Sequence, residues 1–160
     1  MLEQLTNGLA IGGIYALVAL GYTMVYGVLK LINFAHGDLF TLGAYLGMTL
    51  LVSFGLSGSL PVWAALLVML VMVMGLVAVS GYVLERVAYR PLRRSDRLAA
   101  VVSALGASIF LQNAIMLFYG ADYQTYPDLL SVTASVSLFG VSIPLMRLVM
   151  FLASVVLMVV

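Results

Sequence analysis

The chain has 160 residues, of which 64% are hydrophobic and 8% charged, whereas soluble globular chains run at roughly 45 to 50% and about 25%. No water-facing surface can be built from that composition, so the chain reads as a membrane protein. Seven Lys and Arg against six Asp and Glu leave a formal net charge of +1, too little to attract nucleic acid, and the absence of Cys removes disulfides, thiolate metal sites and cysteine catalysis together.

Residues 4–29 form an uncharged run of 26. A bilayer core of about 30 Å takes roughly 20 helical residues, which predicts a first span at about 8 to 29. A cleaved secretory signal would need a basic start, a short apolar core and a small-residue cleavage site, but Glu3 is the only early charge and the run is too long. Gly8, Gly12 and Ala16 recur at four-residue spacing and are expected to face a neighbouring helix. Lipid tails are as apolar as Leu, so helices associate mainly by close backbone approach. Tyr15, Tyr22 and Tyr26 share a helical face. Either Tyr22 and Tyr26 line a polar path, or these rings pack in the bundle with one hydrogen bond each.

The junction after the first span holds Asn33, His36 and Asp38, with Lys30 just before them. Ionisable groups at membrane depth are costly and mark a pathway, a relay or a bend that needs capping. Two readings stay open: a translocation path, or a capped turn in which Gly37 allows the bend and Asp38 caps a helix starting at Leu39. Residues 39–84 are a second uncharged run, of 46, long enough for two crossings with a turn. Small residues and Pro61 in the stretch from Phe54 to Pro61 mark that turn, predicting spans at 39 to 54 and 62 to 84. Gly43 and Gly47 continue the small-residue spacing. At 16 residues the 39 to 54 segment reads either as a short span or as a re-entrant piece.

Arg86, Arg90, Arg93, Arg94 and Arg97 concentrate five of the seven basic residues in one loop, which the positive-inside rule assigns to the cytoplasm. Counting back through three spans places the N-terminus outside, or inside if 39 to 54 is re-entrant; counting forward places residues 122–142 outside. A fourth span covers the uncharged run Leu98 to Ala121, with Ser103, Ala104, Ala107 and Ser108 as small interface residues. Gln112 and Asn113 on it serve interhelical hydrogen bonding or line the pathway. Strict alternation from Leu130 to Leu138 predicts a half-buried strand. Phe139 and Gly140 then turn the chain into a short return through Val141 and Ile143, with Pro144 opening the next helix. This exposed hairpin is either a docking surface for a soluble partner or a cover for helix ends. A fifth span from Ile143 to Val160 has 18 residues if Arg147 reaches the interface, and its apolar end reads as a cut in a longer chain.

The expected fold is all-α: a polytopic helical membrane bundle of about five spans with a small extracytoplasmic β-hairpin, forming one membrane-spanning domain over residues 1–160, truncated at its C-terminus. Enzyme chemistry finds little footing. There is no glycine-rich phosphate loop with its lysine, no paired-histidine zinc helix and no nucleophile elbow, and His36 is the single histidine.

Three separately placed motifs carry a family resemblance. Gly21-Tyr22-Thr23-Met24-Val25-Tyr26-Gly27 with Leu31-Ile32-Asn33-Phe34-Ala35-His36-Gly37 comes first. Glu85-Arg86-Val87-Ala88-Tyr89-Arg90-Pro91-Leu92-Arg93 follows, and then Ser103 to Asn113. In this order they resemble the permease subunits of bacterial branched-chain amino acid importers of the ATP-binding cassette class. The resemblance implies an inner-membrane permease working by alternating access. Its partners would be a second permease subunit, two ATPase subunits and a periplasmic substrate-binding protein, with ATP used by the partner subunits and no cofactor bound by this chain. Relatives in the family move urea or short amides, which leaves those substrates as an alternative. A membrane scaffold or assembly subunit without a pathway of its own is the alternative of a different class. Family permeases are roughly twice this long, at about five spans per half, and the cytoplasmic loop that docks on the ATPase lies in the other half.

Overall fold

The computed structural model describes residues 2–30, 32–53, 61–92, 95–126, 135–138 and 141–159. In chain order the elements are α1 (Leu2–Leu29), α2 (His36–Ser53), α3 (Val62–Leu84), a π-helical turn (Glu85–Tyr89), a 3-10 turn (Arg90–Leu92), α4 (Arg97–Tyr119), β1 (Ser135–Leu138), β2 (Val141–Pro144) and α5 (Leu145–Val159). Among the described residues three helical segments are long and apolar enough to cross a membrane: Gln4–Val28, Trp63–Leu92 and Leu98–Tyr119. A shorter apolar helix covers Val149–Met158. The chain divides into two compact units, residues 29–129 and residues 1–28 with 130–160.

The first of these units is built on α2. Gly43 and Gly47 are buried, and both lie against α3. A methyl at Gly43 would sit 3.2 Å from Val77 Cγ2, and one at Gly47 would sit 3.6 Å from Val73 Cγ2 and 3.7 Å from Met69 Sδ. Rising residue numbers on α2 thus meet falling numbers on α3, so the two helices are antiparallel. Leu51 and Ala65 form the buried apolar centre of this seam, with Met69 packed on it. On its other side α2 meets α4 at Asp38 with Ser108 and at Thr49 with Tyr119. Both steps are eleven residues long, about 16 Å of helix, so α2 and α4 run parallel.

The ends of these helices follow from local chemistry. Lys30, at φ 56, leaves α1 through the left-handed region that commonly ends helices. Pro61 precedes α3, and its carbonyl accepts from Ala64 N–H at 2.9 Å and Ala65 N–H at 3.1 Å. At the far end of α3, Pro91 has no N–H to offer and its ring crowds the preceding turn. The helix widens there: Arg90 N–H reaches back five residues to the Glu85 carbonyl. Gly120, at φ 83, ends α4 with its N–H on the Met116 carbonyl at 2.9 Å.

In the other unit α5 packs on α1 where Gly13 lies against Ser154, a side chain 3% exposed. Gly8 and Gly12, expected to face a neighbouring helix, line the groove between α1 and α5 with nothing within 4 Å of an added methyl, and the close approach is made one position further along, at Gly13. β1 and β2 pair, with Val136 opposite Ile143 and Leu138 opposite Val141 in antiparallel register. The predicted strand residues Leu130 to Ala134, and the turn at Phe139 and Gly140, lie outside the described residues. Pro144 does not open the following helix. It ends β2 opposite Ser135, and α5 begins at Leu145. A terminal strand position suits a residue that cannot donate to the ladder.

Many large apolar side chains of the described residues are exposed. Leu117 and Phe118 on α4 are each 82% exposed, a surface suited to lipid or to further helices.

Candidate functional site

The polar residues of the junction do not act as one cluster. Asn33 is buried, and its Oδ1 accepts from Ala35 N–H at 3.1 Å, closing an Asx turn. The turn is reinforced by His36 N–H on the Asn33 carbonyl at 3.2 Å, and the first α-helical bond runs from Leu39 N–H to the Ala35 carbonyl at 3.0 Å. The helix therefore starts at His36, three residues before the expected Leu39. This corrects the assignment of Asp38 as its cap: Asn33 organises the start, and Asp38 lies inside the first turn with its side chain free for another partner.

That partner is on α4. Asp38 Oδ2 accepts from the Ser108 hydroxyl at 2.5 Å, and Ser108 Oγ in turn accepts from Gln112 Nε2 at 3.2 Å. Ser108 is 8% exposed, and through it this chain of bonds bridges α2 and α4. The N-terminal end of the α2 dipole favours the negative charge at this position.

A second polar contact starts from Asn33 Oδ1, which also accepts the Tyr89 hydroxyl at 2.5 Å. Tyr89 is 5% exposed and is the last residue of the π turn. Next to it, the Ala88 carbonyl accepts from Ser103 Oγ of α4 at 2.9 Å. At the other end of the unit the Thr49 and Tyr119 hydroxyls are 2.9 Å apart, and the Tyr45 and Tyr119 rings lie 4.6 Å apart between centroids. The Tyr126 hydroxyl donates to the Ala44 carbonyl.

The remaining sequence candidates are spread out. Tyr22 is half-buried and Tyr26 exposed on α1, in the unit that does not contain the junction. Gln112 and Asn113 are both exposed on α4, with Asn113 Nδ2 turned back to the Ile109 carbonyl at 2.8 Å. Arg86 and Arg90 are exposed on the turns after α3; Arg97 opens α4, and Arg93 and Arg94 lie outside the described residues. Tyr89 and Ser108 were not singled out as polar site residues from sequence. An intramembrane Asp needs a hydrogen-bond donor, and Ser108 with Gln112 one turn on was a readable signal. Tyr89, inside an arginine-rich loop, had no such signal.

Comparison with known proteins gives consistent matches. The family model described as branched-chain amino acid transport system / permease component matches residues 4–160. The high-affinity branched-chain amino acid transport system permease protein BraD of Pseudomonas aeruginosa is 44% identical over 161 residues, covering 96% of this chain and 51% of the relative. The corresponding permease proteins LivH of Escherichia coli K12 and Salmonella typhimurium are 38% and 37% identical over 156 residues, with the same coverage. The chain thus spans about half the length of the curated relatives it matches. No solved structure matches it significantly.

Proposed function

The chain belongs to the family of branched-chain amino acid transport permeases, and from that premise we propose that it supplies half of the translocation pathway of an ATP-binding cassette importer. Branched-chain amino acids are the substrate class, as the names of its relatives say of those proteins. Transport proceeds by alternating access in the inner membrane, driven by two ATPase subunits, with a second permease and a periplasmic binding protein as the other partners. ATP is used by the partner subunits, and this chain binds no cofactor. Five spans are the proposed crossing count, and the hairpin of β1 and β2 is placed on the extracytoplasmic side.

Two contacts and the length of α2 support that topology. The Asn33–Tyr89 bond puts the start of α2 at the same end as the arginine loop, while Thr49–Tyr119 joins the opposite ends of α2 and α4. An unbroken α2 of 18 residues, about 27 Å long, running alongside α4 supports a crossing over a re-entrant piece. With the arginine loop in the cytoplasm, counting back places the N-terminus outside.

The observation that carries the pathway reading is the exposure of Gln112 and Asn113, two adjacent amides in the second half of the membrane-length α4. Two adjacent amides are costly against lipid tails, so this face turns to a water-filled path or to the rest of the permease rather than to the bilayer. These 160 residues hold no cysteine, which makes the test direct. Gln112→Cys and Asn113→Cys, placed in an otherwise cysteine-free complete transporter, are expected to react with a membrane-impermeant thiol reagent in a way that the transported amino acid slows. Inert thiols in both variants, with assembly retained, would refute the pathway and favour the scaffold.

A further inference from the structure

Three hydrogen bonds in residues 29–129 close a ring around one end of the helices. The start of α2 is tied to the π turn by Asn33–Tyr89 at 2.5 Å. The π turn is tied to α4 by the Ala88 carbonyl and Ser103 at 2.9 Å. Then α4 is tied back to α2 by Ser108–Asp38 at 2.5 Å. The widened turn is the link of this ring that interrupts a long helix, and it carries the exposed Arg86 with the exposed Arg90 directly after it. It therefore has two sets of contacts: its buried side holds α2 and α4, and its exposed side meets whatever lies outside the chain. π-helical turns interrupt the regular ladder and are frequent at functional sites.

We propose that Tyr89 is a positioning residue of the transport cycle. Its hydroxyl, acting through Asn33, makes the start of α2 follow any movement of the arginine-bearing turn, so that displacement at this end of the bundle reaches the helices together instead of bending α3 alone. The same Asn33 oxygen that accepts Tyr89 closes the Asx turn from which α2 begins. Losing the hydroxyl releases the start of α2 from the turn without removing any apolar contact of the ring. This inference rests on the permease reading above.

The test uses the complete transporter in proteoliposomes, with binding protein and ATP supplied, comparing wild type with Tyr89→Phe. Substrate molecules imported per ATP hydrolysed are expected to fall about fivefold, which corresponds to about 1 kcal/mol. Subunit co-purification and basal ATP hydrolysis are expected to stay at wild-type levels, which a merely structural weakening would not preserve. Amide exchange over residues 33–39 is measured in the same samples and is expected to quicken in the variant. Unchanged coupling, or exchange at the wild-type rate, overturns the proposal. Should Tyr89→Phe fail to assemble, Ser103→Ala opens the ring at the widened turn's other bond, to α4, and is read in the same way; failure of both to assemble shows that the bonds only hold the fold, and overturns it too. A wild-type complex that imports no branched-chain amino acid would count against the permease reading, while the exchange measurement still decides whether Tyr89 holds α2.

Discussion

The Asp38–Ser108 bond makes opposite predictions for two small changes at one position. In Asp38→Ala the Ser108 hydroxyl, only 8% exposed, loses its acceptor, and a buried donor left unsatisfied costs about 1 to 3 kcal/mol. Loss of the negative charge at the α2 N-terminus adds about 0.3 to 1 kcal/mol. In Asp38→Asn an amide oxygen still accepts from Ser108. What is lost is the charge-assisted part of the bond, about half its strength, with the same dipole contribution, so the cost is about 1 kcal/mol. Thermal unfolding of the purified full-length permease in detergent should therefore rank wild type above Asp38→Asn and Asp38→Asn above Asp38→Ala. A double-mutant cycle with Ser108→Ala should return a coupling of about 1 to 2 kcal/mol. Uptake by the complete transporter should persist in Asp38→Asn, because the carboxylate serves the seam between α2 and α4. Equal destabilisation by Asn and Ala would refute the argument from the acceptor. A fully assembled but inactive Asp38→Asn complex would show that the charge itself works on the substrate path.

Further expectations concern packing and topology. Gly43→Ala should be close to neutral, since Val77 Cγ2 at 3.2 Å from the new methyl must give by only a few tenths of an ångström while the helix gains about 1 kcal/mol of propensity. Gly43→Leu should instead separate α2 from α3 at a cost of about 1 to 3 kcal/mol, visible as a lower unfolding midpoint; equal midpoints for the two variants would count against the seam. A reporter active only in the cytoplasm should work when fused after Arg97, and a reporter active only in the periplasm should work when fused after Gly120. The reverse pattern would invert the proposed orientation.

Composition and charge placement alone determined that this chain belongs in a membrane. Burial of charge in hydrocarbon is so costly that spans must fall in uncharged runs, and the membrane-length helices α1, α3 and α4 lie in those runs. The period-two pattern likewise located a strand at Val136 and Leu138, because alternation is a local property of an extended backbone. Gly43 and Gly47 were legible as contact points, since close approach explains their spacing in lipid, while Gly8 and Gly12 line the groove facing α5 without so close a contact. Small-residue spacing shows which face can be approached; whether another helix arrives there depends on the rest of the fold. The partners of the polar residues were decided only in three dimensions. Asp38 looks like a cap in sequence because capping is a matter of neighbours along the chain. Its actual partner, Ser108, is 70 residues away, and Tyr89 is 56 residues from Asn33. Hydrogen bonds between parallel helices leave no periodic trace in either helix. They require the crossing and register that α2 acquires from its glycine seam with α3, and that register is a property of the packed helices, not of any one segment.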